Sequence, residues 1–140
     1  MSTPMTTDTA QRLFTAPGTN VENQPYWDGA KEGKLLIKHC GDCGQHHVYP
    51  RAICPHCFSD NTTWQASSGR GTIYSFSVMR RVPQPYAIAY VTLDEGVTMM
   101  SGIVDCDFDR LAIGQRVKVV FRASDGDVTV PAFVPDATPA

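Results

Sequence analysis

The stretch from His39 to Phe58, H-C-G-D-C-G-Q-H-H-V-Y-P-R-A-I-C-P-H-C-F, carries two C-x-x-C pairs with ten residues between them. Cys40 and Cys43 form the first pair, Cys54 and Cys57 the second. In each pair one tight turn presents both sulfurs to a single ion, and four thiolates make the tetrahedral set that Zn²⁺ takes at about 2.3 Å. Gly41 and Gly44 offer the first turn positive φ at little cost, and Pro55 fixes the start of the second. The spacer leaves room for two short strands and a reversal, which together make a zinc ribbon. A closed four-cysteine site has no open position for a substrate, so the ion, one per chain, is expected to be structural.

Other uses of these cysteines compete with this one. Two disulfides need an oxidising compartment, but Met1–Phe14 lacks the apolar and basic regions of a secretory leader. The expectation is a cytoplasmic chain with reduced thiols. A thioredoxin-like site needs one C-x-x-C at a strand–helix junction, not two facing pairs. Rubredoxin-like iron would use the same four sulfurs and stays open. No apolar run approaches the ~20 residues of a membrane span. The net charge of −2, from 12 basic and 14 acidic residues, is a poor footprint for nucleic acid.

Around the knuckles the chain divides into four stretches. Residues 1–21 are polar and read as a flexible N-terminus, with room for one helical turn or two at Asp8–Phe14. Residues 22–68 hold a short helix, about 24–32, followed by the ribbon. Asn23 offers an N-cap, Pro25 suits the first turn and Gly33 a stop. Tyr26 and Trp27 share one face of this helix, where they either cover the ribbon or face a partner subunit. Lys34–His39, Gln45–Pro50 and Thr62–Ala66 read as the ribbon strands. From Ser67 to Gly71 the composition marks a boundary.

Residues 69–135 then change to period two. Thr72–Met79 alternates with Tyr74, Phe76 and Val78 on one face. Tyr86–Leu93 and Val97–Val104 flank a tight Asp94-Glu95-Gly96 turn. Gln115–Phe121 points Val117, Val119 and Phe121 inward, and Val128–Phe133 supplies a fifth strand. The fold class is therefore mainly β: a short N-terminal helix, a rubredoxin-like zinc ribbon and a five-stranded OB-fold barrel. An SH3-like barrel is the alternative. Residues 136–140 read as a flexible tail.

The helix P-Y-W-D-G-A-K-E-G-K-L, the two knuckles and the barrel opening S-G-R-G-T-I-Y-S-F together resemble a known family. These are the zinc-ribbon/OB-fold acyl-CoA-associated proteins, catalogued as domain of unknown function type thirty-five. The resemblance spans roughly Asn23–Pro135, with His56 and Phe58 as departures in the second knuckle. It implies a small accessory subunit of thiolase-superfamily enzymes, thiolases or thiolase-like aldolases, some members accompanying acyl-CoA hydratases instead. It further implies a two-plus-two hetero-oligomer around an acyl-CoA site, in breakdown of aromatic, steroid or fatty acyl-CoA. The carbon–carbon chemistry would then use the large subunit's own residues.

The residues themselves show no independent catalytic set. Cys106 lies outside the knuckles among Asp105 and Asp107, where carboxylates blunt a thiol. His39, His46, His47 and His56 all fall in the ribbon. Arg80 and Arg81 on a Pro-rich loop, with Arg70, Arg51 and Lys34, are candidate partners for coenzyme A phosphates. Tyr26, Trp27 and Tyr86 are candidate interface residues. Two further readings stand beside the accessory subunit: a stand-alone acyl-CoA-binding protein, and a single-stranded nucleic-acid module using Tyr74, Phe76 and Tyr86 as stacking platforms.

Overall fold

A computed structural model describes residues 13–136, in which one helix precedes eight strands. The helix α1 spans Gln24–Lys31. The ribbon strands are β1 (Leu36–Cys40), β2 (His46–His47) and β3 (Thr62–Ala66). The barrel strands are β4 (Arg70–Met79), β5 (Tyr86–Leu93), β6 (Thr98–Ile103), β7 (Arg116–Ala123) and β8 (Thr129–Pro135). The ribbon sheet has the order β2-β1-β3, and the barrel closes in the order β4-β5-β6-β8-β7. Barrel neighbours are antiparallel except β6 and β8, which run parallel at Ile103 and Phe133. That closure is the five-stranded Greek-key barrel of an OB-fold. The expected mainly β fold holds, and the SH3-like alternative falls away. No helix among the described residues is long and apolar enough to cross a membrane.

Helix α1 lies between the two sheets, against β1 and β8. Pro25 occupies its first turn and Gly33, at φ 79°, ends it with its N–H on the Ala30 carbonyl at 3.0 Å. Asn23 stands at the N-cap position but its side chain does not cap. Its Oδ1 instead accepts from the Asn20 N–H at 2.7 Å, and its Nδ2 donates to the Tyr49 phenol oxygen at 2.5 Å. The buried Asn23 therefore ties the helix to the ribbon and not to its own first turn.

Tyr26 and Trp27 are only 6% and 9% exposed and meet edge to face, ring centroids 4.7 Å apart. They join one apolar cluster with Leu35 and Ile37 on the ribbon side and Ile73, Val91 and Phe133 in the barrel. This corrects their candidacy as interface residues: both rings are enclosed within the chain. The cause is size, since a ribbon of some 30 residues buries too little surface to stand alone. Truncating a buried aromatic of this kind costs about 3–5 kcal/mol of stability, so packing accounts for both.

Three further expectations change. Period-two alternation puts Tyr74 with Phe76 and Val78 on one face, yet it is 69% exposed while those two pack against the core. The β4–β5 register shifts between Ile73 and Ser75, so Tyr74 is the extra residue of a bulge and the inward parity switches across it. The expected N-terminal helical turn and flexible 1–21 stretch lie partly outside the described residues. Within them, Phe14 bridges to Ser124, its carbonyl accepting from the Asp125 N–H at 2.9 Å. The tail also lies partly outside, but Asp136 is buried, 3.5 Å from Arg70, and donates its N–H to the Arg116 carbonyl at 2.9 Å.

The stretch joining ribbon and barrel is fastened by the β5–β6 turn. Glu95 accepts from the Ser67 hydroxyl and the Ser68 N–H, both at 2.8 Å. The next residue, Gly69, has φ 76°, and a Cβ there would lie 2.4 Å from Val119 Cγ1, so no larger residue fits. The neighbouring Asp94 makes a two-pronged pair with Arg116 at 2.8 and 3.1 Å. Burial opposes ionisation of Glu95, but the Ser68 N–H and Ser67 hydroxyl outweigh it and hold the carboxyl below its ordinary range. A depressed carboxylate contributes stability that is complete above its unfolded pKa of about 4.3 and fades as pH falls through the lower folded value. Glu95→Ala should therefore cost about 1–3 kcal/mol in urea melts at pH 7. The gap from the native chain should narrow as the melts are repeated below about pH 4. An equal gap at both pH values would contradict the clamp.

Candidate metal centre and its surroundings

The structure brings Cys40, Cys43, Cys54 and Cys57 together, with all four sulfurs within 4.8 Å of one another. Cys40 ends β1, Cys43 closes the turn after it, and Cys54 and Cys57 come from the β2–β3 connection. The Cys40–Cys57 and Cys43–Cys54 sulfurs are 3.6 and 3.7 Å apart. A tetrahedron of sulfurs with bonds of 2.3 Å has edges of about 3.8 Å, so the four residues fit a zinc ion. Cys40 and Cys54 are fully buried and Cys43 and Cys57 face outward.

Each knuckle is built the same way. The Gly44 N–H donates to the Cys40 carbonyl at 2.9 Å, and the Phe58 N–H to the Cys54 carbonyl at 2.8 Å. Gly44 and Phe58 therefore occupy matching positions, at φ 77° and 67°. Gly41 does not have positive φ, contrary to expectation. It is small because a Cβ there would sit 2.6 Å from the Asn61 side-chain nitrogen. Amides also aim at sulfur: Cys43 N–H at Cys40 Sγ, 3.5 Å, and His56 N–H at Cys54 Sγ, 3.4 Å. The Cys43 N–H lowers the Cys40 thiol to about 7 against the opposing effect of burial. At Cys57 the Ser59 N–H favours the thiolate, but burial and the neighbouring sulfurs push the thiol to about 12. Four thiols sharing this space cannot all ionise unless a cation balances them. With zinc bound, the closed set holds the knuckles together and serves as a structural crosslink.

The histidines surround the centre in structural roles. His47 is buried in β2 and its Nε2 lies 3.3 Å from the Arg51 N–H, which donates to it. Burial, followed by the nearby charges of His56, Lys38 and Arg51, holds the His47 ring below its ordinary pKa. His46 Nε2 pairs with Gln65 Oε1 at 3.2 Å, and His56 Nε2 reaches the His46 carbonyl at 3.3 Å. A cleft of about 340 Å³ lies between these rings and the β5–β6 turn at Gly96–Thr98. Cys106 is half-buried, and burial followed by Asp107 and Asp105 raises its thiol.

The candidate phosphate-binding cations are dispersed. Lys34 pairs with Glu32 at 3.8 Å, Arg51 lies over the Tyr49 ring at 5.1 Å, and Arg70 pairs with Asp136. Arg80 pairs with Asp109 at 2.8 Å, and Arg81 beside it is exposed. Arg70 and Arg80 stand at opposite ends of β4, roughly 30 Å apart along an extended strand. Tyr86, by contrast, lines a recess of about 510 Å³ with Phe14, Ile88, Met100 and Phe108. Sequence reasoning did not find that recess, because its walls come from the N-terminal segment, β5, β6 and β7, which only the folded barrel brings together.

Comparison with known proteins places this architecture. Residues 27–63 match the ChsH2 rubredoxin-like zinc ribbon domain, and residues 64–122 match the ChsH2 C-terminal OB-fold domain. A DUF35 domain-containing scaffold protein of Methanocaldococcus jannaschii is 36% identical over 72% of this chain and 79% of its own length. A "probable enoyl-CoA hydratase alpha subunit" of Thermomonospora curvata is 30% identical over 95% of this chain. The chain spans only 43% of that subunit's length. Among solved structures, a chain of the Ltp2-ChsH2(DUF35) aldolase matches with a TM-score of 0.77 and 30% identity, covering 86% of this chain and 98% of that one. The chain belongs to this DUF35 family of ChsH2-type zinc-ribbon/OB-fold proteins, as the sequence resemblance implied.

Two outcomes follow at the metal centre. Cys54→Ser should lose the ion and unfold the ribbon, because structural zinc supplies about 10–16 kcal/mol of apparent binding free energy. Cys106→Ser should keep one zinc per chain by chromogenic assay, and a zinc-replete Cys54→Ser with an unchanged melt would contradict the site. Separately, a side chain in the left-handed region costs about 1–2 kcal/mol, partly offset by glycine's greater freedom when unfolded. Phe58→Gly should thus raise stability by up to about 1 kcal/mol, read from the midpoint of urea unfolding.

Proposed function

We propose that this chain is a zinc-bearing accessory subunit that binds and stabilises a thiolase-superfamily partner and helps form its acyl-CoA site. The observation that carries this reading is the likeness, over nearly the whole of that chain, to the DUF35 component of an Ltp2-ChsH2 aldolase. Relatives named as a hydratase alpha subunit and as a scaffold protein also support a role exercised in company. The chemistry within the chain agrees: four cysteines gather at one metal centre, and the remaining thiol is held protonated by burial and two acids. The pathway proposed is breakdown of an aromatic, steroid or fatty acyl-CoA, with bond cleavage on the partner. Arg80, paired with Asp109 next to the recess-lining Phe108, and its neighbour Arg81 are proposed to meet coenzyme A phosphates once a partner supplies the opposite wall.

Co-expression with the thiolase-superfamily proteins of its own organism tests this. One pairing should co-elute as a stoichiometric complex, two-plus-two by light scattering if the partner is a dimer. That complex, but not this chain alone, should turn over an acyl-CoA. Thioester turnover by the isolated chain would overturn the proposal, as would separate elution from every candidate.

A further inference from the structure

One surface of the barrel remains outside the metal centre and the shared core. The outward residues of β4, β5 and β6 include Tyr74, Ile88, Tyr90 and Met100, which are 69%, 42%, 50% and 60% exposed. Register makes them neighbours: Tyr90 is paired with Met100 across β5–β6 and with Ser75, beside Tyr74, across β4–β5. Ile88 lies two residues from Tyr90 on the same side, opposite Gly102. Strands β5 and β6 contain no charged residue, and β4 has only Arg70 at its start. An uncharged apolar face this broad is uncommon on a chain that acts alone.

The face ends in the recess of about 510 Å³, whose walls include Ile88 and Met100. The chain already seats one aromatic side chain there. Phe14 lies over Gly102, with two ring carbons 3.1 and 3.2 Å from where a Cβ would stand.

We infer that this face is the docking surface for the partner subunit, which lays an uncharged segment across Tyr74 and Tyr90 and inserts an aromatic or aliphatic side chain into the recess beside Phe14. The inference rests on the accessory-subunit reading and specifies where that contact is made. Charge decides the occupant. A nucleic-acid strand needs cations along its track, and β4 beyond Arg70, β5 and β6 provide none. Tyrosine and methionine enrichment with charge depletion is instead the composition of a protein interface core. A recess flanked by such residues is where an anchoring side chain contributes most.

The test measures the affinity of the chain for the thiolase-superfamily subunit that co-purifies with it, using Tyr90→Lys and Met100→Glu. Both positions are surface-exposed, and unchanged zinc content and melting verify the fold; Tyr74→Lys replaces either variant that fails this check. Each should weaken the complex by at least about 30-fold, the effect of losing a hot-spot residue. Val21→Glu, at a residue 95% exposed near α1, should stay within about threefold of the native chain. If the native chain binds and the face variants bind equally well, the docking surface is overturned while the accessory role stands. If the chain alone is a dimer that Tyr90→Lys makes monomeric, the face joins two copies and the assigned occupant is wrong. If the native chain binds no such subunit, the accessory reading fails and this inference with it.

Discussion

Four sulfurs within 4.8 Å of one another cannot all be thiolates in an uncompensated site, and the ribbon's geometry follows from that constraint. Hydrogen bonds from Cys43, His56 and their neighbours favour charge on the sulfurs, while burial and mutual repulsion oppose it. A divalent cation resolves the conflict and makes the two knuckle turns behave as one rigid unit. The two-residue strand β2 would not persist without it. The metal therefore replaces the hydrophobic core that so short a sheet cannot build.

Rigidity at the knuckles is useful only if it is transmitted. Tyr26 and Trp27 fill the space between β1 and β8, and Asn23 fixes the helix to Tyr49. Adjacent carboxylates in one tight turn then serve two joints: Asp94 holds Arg116 of β7, and Glu95 holds the Ser67–Ser68 link. Ribbon and barrel thus share a core and a clamp, and the cleft and recess keep fixed walls. For a protein proposed to shape a partner's site, that fixity is the relevant property.

The knuckles were legible in the sequence because their chemistry is local: residue type and spacing within a turn determine which sulfurs can meet. The barrel strands were legible because alternation of side chains is a local property too. Tyr74 was misplaced because a bulge breaks that alternation and leaves no sign in composition. Tyr26 and Trp27 were ambiguous because an amphipathic helix does not say which neighbour covers it. The cations at Lys34, Arg51, Arg70 and Arg80 could be counted but not placed. Their ion pairs and stacking depend on Glu32, Tyr49, Asp136 and Asp109, the last two far along the chain from the arginines they meet. The outward face of Ile88, Tyr90 and Met100 needed strand order before its residues became neighbours.

The bulge at Tyr74 has a consequence for how β4 can evolve. Ahead of it the odd-numbered Gly71 and Ile73 are buried, and beyond it the even-numbered Phe76 and Val78 pack inward. Tolerance of polar replacement must therefore change parity halfway along a single strand. Loss of Tyr74 itself would leave Ile73, Ser75 and Phe76 facing Val91, Tyr90 and Ala89 in unbroken alternation. Loss of a residue elsewhere in β4 would instead exchange the inside and outside of half the strand, so the bulge is the point at which this strand can accommodate a change of length.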